Sequence, residues 1–219
     1  MDDFSTFGHA RPRDRAEAGT STLLGQVMFL VAVALGFMTA GAFIGQELSQ
    51  GTALICFLAG FGMLLAQAFG GERFRVGAFA IGWLYVVALL FGLGIGPTIA
   101  YFLENDGTVI TQAAGGTALI VLGMGAVGFT LSKDLASWMR PLTFIILGLV
   151  VVSFVLLIFS SGGNPIISAA IAIVSALLIM VDFNYLRKHG TENDAVWLAT
   201  GIFVSIVNIF LSLLNIFGD

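Results

Sequence analysis

The sequence predicts an all-α fold, a bundle of seven transmembrane helices, and three observations carry that prediction. Seven apolar stretches of about 19 to 26 residues follow one another, at about 23–45, 51–69, 76–101, 108–131, 141–160, 166–186 and 195–217. Each is long enough to cross ~30 Å of hydrocarbon at 1.5 Å per residue. All nine Lys and Arg residues fall on one side of the resulting topology. The chain is also 58% hydrophobic and only 10% charged, against roughly one-quarter charged residues in soluble domains. With 219 residues committed to spans and short loops, no room remains for a soluble catalytic domain.

Residues 1–22 mix charges, Gly and Pro, and read as a disordered cytoplasmic tail carrying Arg11, Arg13 and Arg15. Phe4 and Phe7 beside those arginines would suit a docking peptide; a solvated tail that sets topology is the simpler use. Span 1 is too long for a signal-peptide core and is expected to stay as an anchor. Neither a myristoylation nor a prenylation motif is present. Span 2 holds the single cysteine, Cys56, so no intramolecular disulfide forms, and a small packing role is expected. Arg73 and Arg75 follow it. Span 3 contains Pro97, which removes a hydrogen bond to the Leu93 carbonyl and should kink the helix, with a neighbour covering the freed group. Gly41 with Gly45 and Gly92 with Gly96 are four apart, the spacing for close helix approach within the bundle.

Lys133 and Arg140 follow span 4. Pro141 and Pro165 sit where a first helical position is expected, the latter after Asn164 as a cap. Arg187 and Lys188 follow span 6, and Thr191 with Asp194 has capping-box spacing ahead of span 7. Cytoplasmic loops retain Lys and Arg. The expected location is therefore the cell (cytoplasmic or inner) membrane, multi-pass, with the N-terminus inside and the C-terminus outside. The outer loops and C-terminus carry Glu47, Glu104, Asp106 and Asp219 without a base. Such a face attracts cations, although ordinary solvated loop acids explain it as well.

Two tempting motifs fail on context. Gly123-Met124-Gly125-Ala126-Val127-Gly128 matches GxGxxG, but dinucleotide binding needs it at a strand-to-helix turn, and here it lies inside an apolar span. Small-residue packing explains it. Intramembrane proteolysis needs a Ser with a His, a metal on His, or two aspartates. His9 and His189 lie in the tail and a loop, and only one acid lies within a span. A retinal lysine is absent from span 7. The sequence therefore points to no enzyme, cofactor, metal or nucleic-acid partner; its expected surroundings are lipid.

That one acid is Asp182, about a turn from the cytoplasmic end of span 6. An intramembrane carboxylate is a functional candidate by default because burying it ionised is costly; wetting at the interface or pairing with a loop base is the plain alternative. Ser168, Ser175 and Asp182 are spaced seven apart and drift only ~40° around a helix. In span 7, Gly201, Ser205, Asn208, Ser212 and Asn215 fall within an arc of ~80°, with Ile202, Phe203, Ile206, Ile209, Phe210 and Leu213 covering the rest. Such a face should turn toward the protein interior. It serves either as interhelical hydrogen-bonding glue or as the wall of a narrow hydrated path with Asp182 at its inner mouth. A hairpin apex near residues 190–193 sets Asp182 opposite about 198–204, within about two turns of Ser205. Arg187 lies ~140° around the helix, so a base for Asp182 would come from Arg73, Arg75 or Lys133.

At these residues the chain resembles the Bax inhibitor-1 family, most of all its bacterial YccA-like branch. The likeness covers about residues 23 to 218. It is sharpest in GPTIAYF (96–102), AGGTALIVLGMGAVGFTLSKDLASW (114–138) and DFNYLRKHGTENDAVWLATGIFVSIVNIFLSLLNIFG (182–218). The resemblance implies seven helices with the last helix central. Family members that behave as pH-dependent calcium leaks carry two aspartates, on helices 6 and 7, that share a proton and hold a gate closed. Asp182 matches the first position. At the second stands Ser205, and the base supporting the pair has no counterpart in register, Arg73 or Arg75 being near. The YccA branch instead implies association with the membrane-anchored AAA protease FtsH and modulation of its attack on membrane proteins. Two expectations follow: a regulator acting through an FtsH-type protease, or a proton-gated calcium leak centred on Asp182.

Overall fold

The computed structural model of the chain describes residues 12–159 and 164–218. Seven long helices run through it: α1 (Pro12–Ile44), α2 (Gln50–Phe69), α3 (Ala78–Asn105), α4 (Gly107–Thr130), α5 (Ala136–Phe159), α6 (Pro165–Lys188) and α7 (Ala195–Gly218). All seven contain a stretch long and apolar enough to cross a membrane. Among the described residues there is no strand. Alternation of direction gathers the basic loops, α2–α3, α4–α5 and α6–α7, at one end of the bundle. Among the described residues the other end carries no base.

Local chemistry sets the boundaries. The Ser49 hydroxyl caps α2 by accepting the Thr52 N–H at 3.2 Å. Gly71 and Gly77 turn the chain into α3 at φ 71° and 89°, where a side chain would be strained. Asp106 starts α4, accepting from the Thr108 hydroxyl at 2.5 Å and its N–H at 3.0 Å. Those bonds, the hydroxyl's first, hold its carboxyl below the usual range. Asn164 accepts the Ile166 N–H at 3.0 Å ahead of Pro165, as expected. Thr191 donates its N–H to the Asp194 carboxylate at 3.0 Å, which fixes the turn into α7.

Two elements differ from expectation. Helix α1 begins at Pro12, well before 23, because a proline at the first position precedes Arg, Ala and Glu, all good helix formers. Residues 12–22 thus belong to a helix, while Phe4, Phe7 and Arg11 lie outside the described residues, as does Asp219. Helix α5 begins at Ala136, so Pro141 is inside it rather than at its start. The start is set by Asp134, whose carboxylate accepts the Ala136 N–H at 2.9 Å.

Helix α7 is central. It packs against α6, α4, α1 and α3, and its Ile202, Phe203 and Ile209 are fully buried. Helices α2 and α5 are peripheral, leaning mainly on α3 and α6 respectively. Large side chains such as Phe29, Phe43, Leu119, Leu122 and Phe144 cover the outer surface, as a lipid-facing belt requires. The glycines act within the bundle. Gly41 on α1 and Gly45 just past its end lie directly against Gly92 and Gly96 on α3. A Cβ on Gly45 would stand 2.6 Å from the Leu93 carbonyl oxygen, so this glycine covers the carbonyl that Pro97 leaves without its helical donor. In the GxGxxG segment, Gly125 meets the Phe183 ring and Gly128 the Met180 backbone, which is helix packing of α4 on α6.

Candidate functional site

Asp182 lies six residues before the end of α6 and is 6% exposed. Its carboxylate points at α7, where a Cβ on Gly201 would stand 3.2 Å from Oδ2. A glycine at 201 therefore makes room for the carboxylate, and it falls within the window set by the hairpin geometry. Among the described residues no hydrogen bond or ion pair reaches Asp182. The expected bases are engaged elsewhere. The Arg73 guanidinium sits 4.7 Å from the Phe79 ring centre and Arg75 5.5 Å from that of Trp197. Lys133 is exposed on the α4–α5 loop, and Arg187 donates to the Leu131 carbonyl at 2.6 Å. Asp182 is thus a lone buried acid.

Toward the base-free end the polar residues continue. Ser205, one turn beyond Gly201, is 3% exposed, and Ser175, two turns from Asp182 on α6, is fully buried with no partner for its hydroxyl. The two polar faces join at Ser168, whose hydroxyl donates to Asn215 Oδ1 at 2.9 Å. There a cavity of about 670 Å³ opens, lined on this side by Ser168, Asn208, Ser212 and Asn215. The stripe therefore faces inward, with Ser205 and Ser212 buried, while Asn208 and Asn215 are half-buried because they border the cavity. On the helix's other sides Ile202, Phe203 and Ile209 are buried as well. A central helix has no lipid face at those positions. As glue, the stripe contributes a single interhelical bond, Ser168 to Asn215.

Periodicity did not mark two further polar contacts. Gln67 of α2 donates to Thr200 Oγ1 at 3.1 Å, beside Gly201. Asn184, fully buried on α6, accepts the Leu135 N–H and donates to the Gly128, Leu131 and Lys133 carbonyls. Lys188 reaches the Ser132 carbonyl, and His189 meets the Asp134 carboxylate at 2.7 Å. Asp134 is held below the usual carboxylate range, by the Ala136 N–H first and His189 next. The end of α6 thus clamps the α4–α5 loop. The signal for it was an amide in the last turns of an apolar span, but only the fold says which loop it grips. Among the described residues no three His, Cys, Asp or Glu side chains gather as a metal site would require.

Comparison with known proteins places this geometry. A family model described as "Inhibitor of apoptosis-promoting Bax1" matches residues 20–219. An uncharacterised membrane protein of Vibrio cholerae is 30% identical over 210 residues, 91% of this chain and 90% of its own length. An uncharacterised protein of Pseudomonas aeruginosa is 29% identical over 196 residues, 86% of this chain and 85% of its own. The "Modulator of FtsH protease YccA" of Escherichia coli K12 is 30% identical over 132 residues, 58% of each chain.

Proposed function

The chain belongs to the Bax inhibitor-1 family and is a multi-pass membrane protein, and from that premise we propose that it modulates an FtsH-type membrane protease and catalyses no reaction of its own. The observation that carries this is the likeness to a relative named as a modulator of FtsH protease. Supporting it, Asp182 faces Gly201 with Ser205 one turn beyond, so α7 supplies no second carboxylate at the position where calcium leaks of this family carry one. Nor do the described spans bring a nucleophile to a base. Co-isolation tests the proposal: in mild detergent the full-length chain should retain the protease, and a chain lacking residues 1–11 should lose it while melting at the same temperature. Failure of the full-length chain to retain it contradicts the proposal.

The positive-inside rule orients the molecule with its basic end in the cytoplasm. With Cys56 replaced by alanine, a cysteine placed at Arg73, Lys133 or Arg187 should react only from the cytoplasm, and one at Asn105 only from outside. External labelling at Lys133 contradicts this orientation.

A pH-dependent calcium leak is the second proposal, favoured by one observation: Asp182 is buried without a partner on the α6–α7 face that leads to the cavity. With no second acid facing Asp182 from α7, no proton is shared. The pH response of the wild type should therefore be weak. Calcium flux into vesicles between about pH 5 and pH 8 should strengthen in Ser205→Asp and vanish in Asp182→Asn. Identical responses in all three proteins rule the leak out.

A further inference from the structure

The cavity at the base-free end has walls of opposite character. One wall is polar and comes from α6 and α7: Ser168, Asn208, Ser212 and Asn215. The facing wall comes from α2, α3 and α5 and is mainly apolar, with Leu54, Phe57, Ile95, Val150 and Phe154 beside the hydroxyls of Thr98 and Ser153. Among the described residues no charged one lines it. A cation or an anion resting there would lose its hydration without gaining a countercharge from them, so this lining is not built to hold an ion.

The polar wall is also unfinished. Ser212 is 4% exposed, and its hydroxyl meets no donor or acceptor in the described structure. Among the described residues the Asn208 amide meets no partner, and Asn215 uses only Oδ1, its Nδ2 meeting none. These three residues run along one edge of α7 over about 10 Å at 1.5 Å per residue. They offer donors and acceptors to a head bearing several neutral oxygens. Exposed Gln50 and Tyr101 border the cavity near the outer ends of α2 and α3. Deeper in, α2 and α5 close over it through rings alone, Phe57 to Phe154 at 5.3 Å and Phe61 to Phe154 at 6.0 Å. Beneath these rings Leu54, Ile95 and Val150 give an acyl chain an apolar surface to lie along.

We propose that this cavity binds a neutral long-chain amphiphile of the acylglycerol type, its hydroxyl and ester oxygens on Asn208, Ser212 and Asn215 and its chain along Leu54, Ile95 and Val150. The volume of about 670 Å³ falls in the range of small-ligand sites. A helical peptide fits poorly, since one turn about 10 Å across fills about 400 Å³ and the cavity would hold less than two turns. The proposal stands independently of protease coupling and of Asp182.

The test uses the full chain in vesicles with a monoacylglycerol carrying a photoreactive group in its acyl chain. Crosslinks should map to the cavity-lining segments of α2, α5 and α7. Unlabelled monoacylglycerol should displace the probe about tenfold better, or about 1.4 kcal/mol, than a fatty acid or an alkylammonium of equal chain length. Ser153→Trp, which fills the cavity from peripheral α5, should abolish crosslinking without lowering the melting temperature. Asn208→Leu with Ser212→Leu should remove the preference for the neutral head while leaving the chain contacts. Crosslinks spread equally over α1 and α4, equal displacement by the charged amphiphiles, or displacement by calcium or by an amphipathic peptide would each overturn the proposal.

Discussion

Replacing Asn184 with leucine should destabilise this protein more than removing any other single polar side chain. The residue is fully buried: it accepts the Leu135 N–H at 2.9 Å, and its two Nδ2 hydrogens are shared among the carbonyls of Gly128 (3.1 Å), Leu131 (3.2 Å) and Lys133 (3.1 Å). These bonds join the last turns of α6 to the loop between α4 and α5. Leucine fills a similar volume but leaves the Leu135 N–H and the Gly128 and Lys133 carbonyls without a partner, the Leu131 carbonyl keeping Arg187, and a buried unsatisfied group costs about 1–3 kcal/mol. Even with some carbonyls rewetted, a loss of about 3 kcal/mol is expected, a large share of a typical folding free energy. Asn184→Asp keeps the acceptor and loses the donors, so its loss should be similar or greater. Arg187→Met removes one bond to the Leu131 carbonyl and should cost less. Thermal melting in one detergent checks the order, and limited proteolysis at Lys133 should accelerate in the leucine variant. Wild-type melting for Asn184→Leu would contradict the clamp.

Gly92→Ala should show the second large effect. A Cβ there would collide with the Met38 carbonyl and stand 2.8 Å from the Ala42 nitrogen and 2.9 Å from the Gly41 Cα, closer than real Cβ atoms come. Those atoms are backbone and cannot rotate away, so α1 must separate from α3 along the tightest seam of the bundle. The expected loss is about 1–3 kcal/mol, and Gly92→Leu should prevent stable folding. Gly82→Ala is the matched control on the same helix: nothing lies within 4 Å of its Cβ, and alanine there improves helix propensity. It should melt at or slightly above the wild-type temperature. Equal shifts for the two alanine variants would contradict close packing of α1 on α3.

The seven spans were legible because lipid demands long apolar runs and water demands polar caps; Asn164 with Pro165 marked the start of α6 to the residue. Pro141 misled, since Asp134 captured the helix start upstream of it and left the proline in the second turn, where it removes the bond to the Ser137 carbonyl. The α1 extension was hidden by its charge, as polar helix and polar tail differ little in composition. For the candidate site, spacing gave the face shared by Ser205, Asn208, Ser212 and Asn215 and brought Asp182 to the level of Gly201. It could not show whether that face meets another helix or a cavity, because this depends on how far α2 and α5 stand apart. Asn184 and Gln67 escaped for a related reason: their partners lie 49 and 133 residues away, beyond any local pattern.

Coupling to a protease is the central claim, and degradation kinetics test it most directly. An FtsH-type protease would be placed in vesicles with a membrane substrate, with and without this chain, in calcium-free buffer. The account predicts that the rate of substrate loss changes in proportion to the amount of this chain present. It also predicts that Asp182→Asn leaves this change intact. A rate that stays the same at every ratio of chain to protease would contradict it.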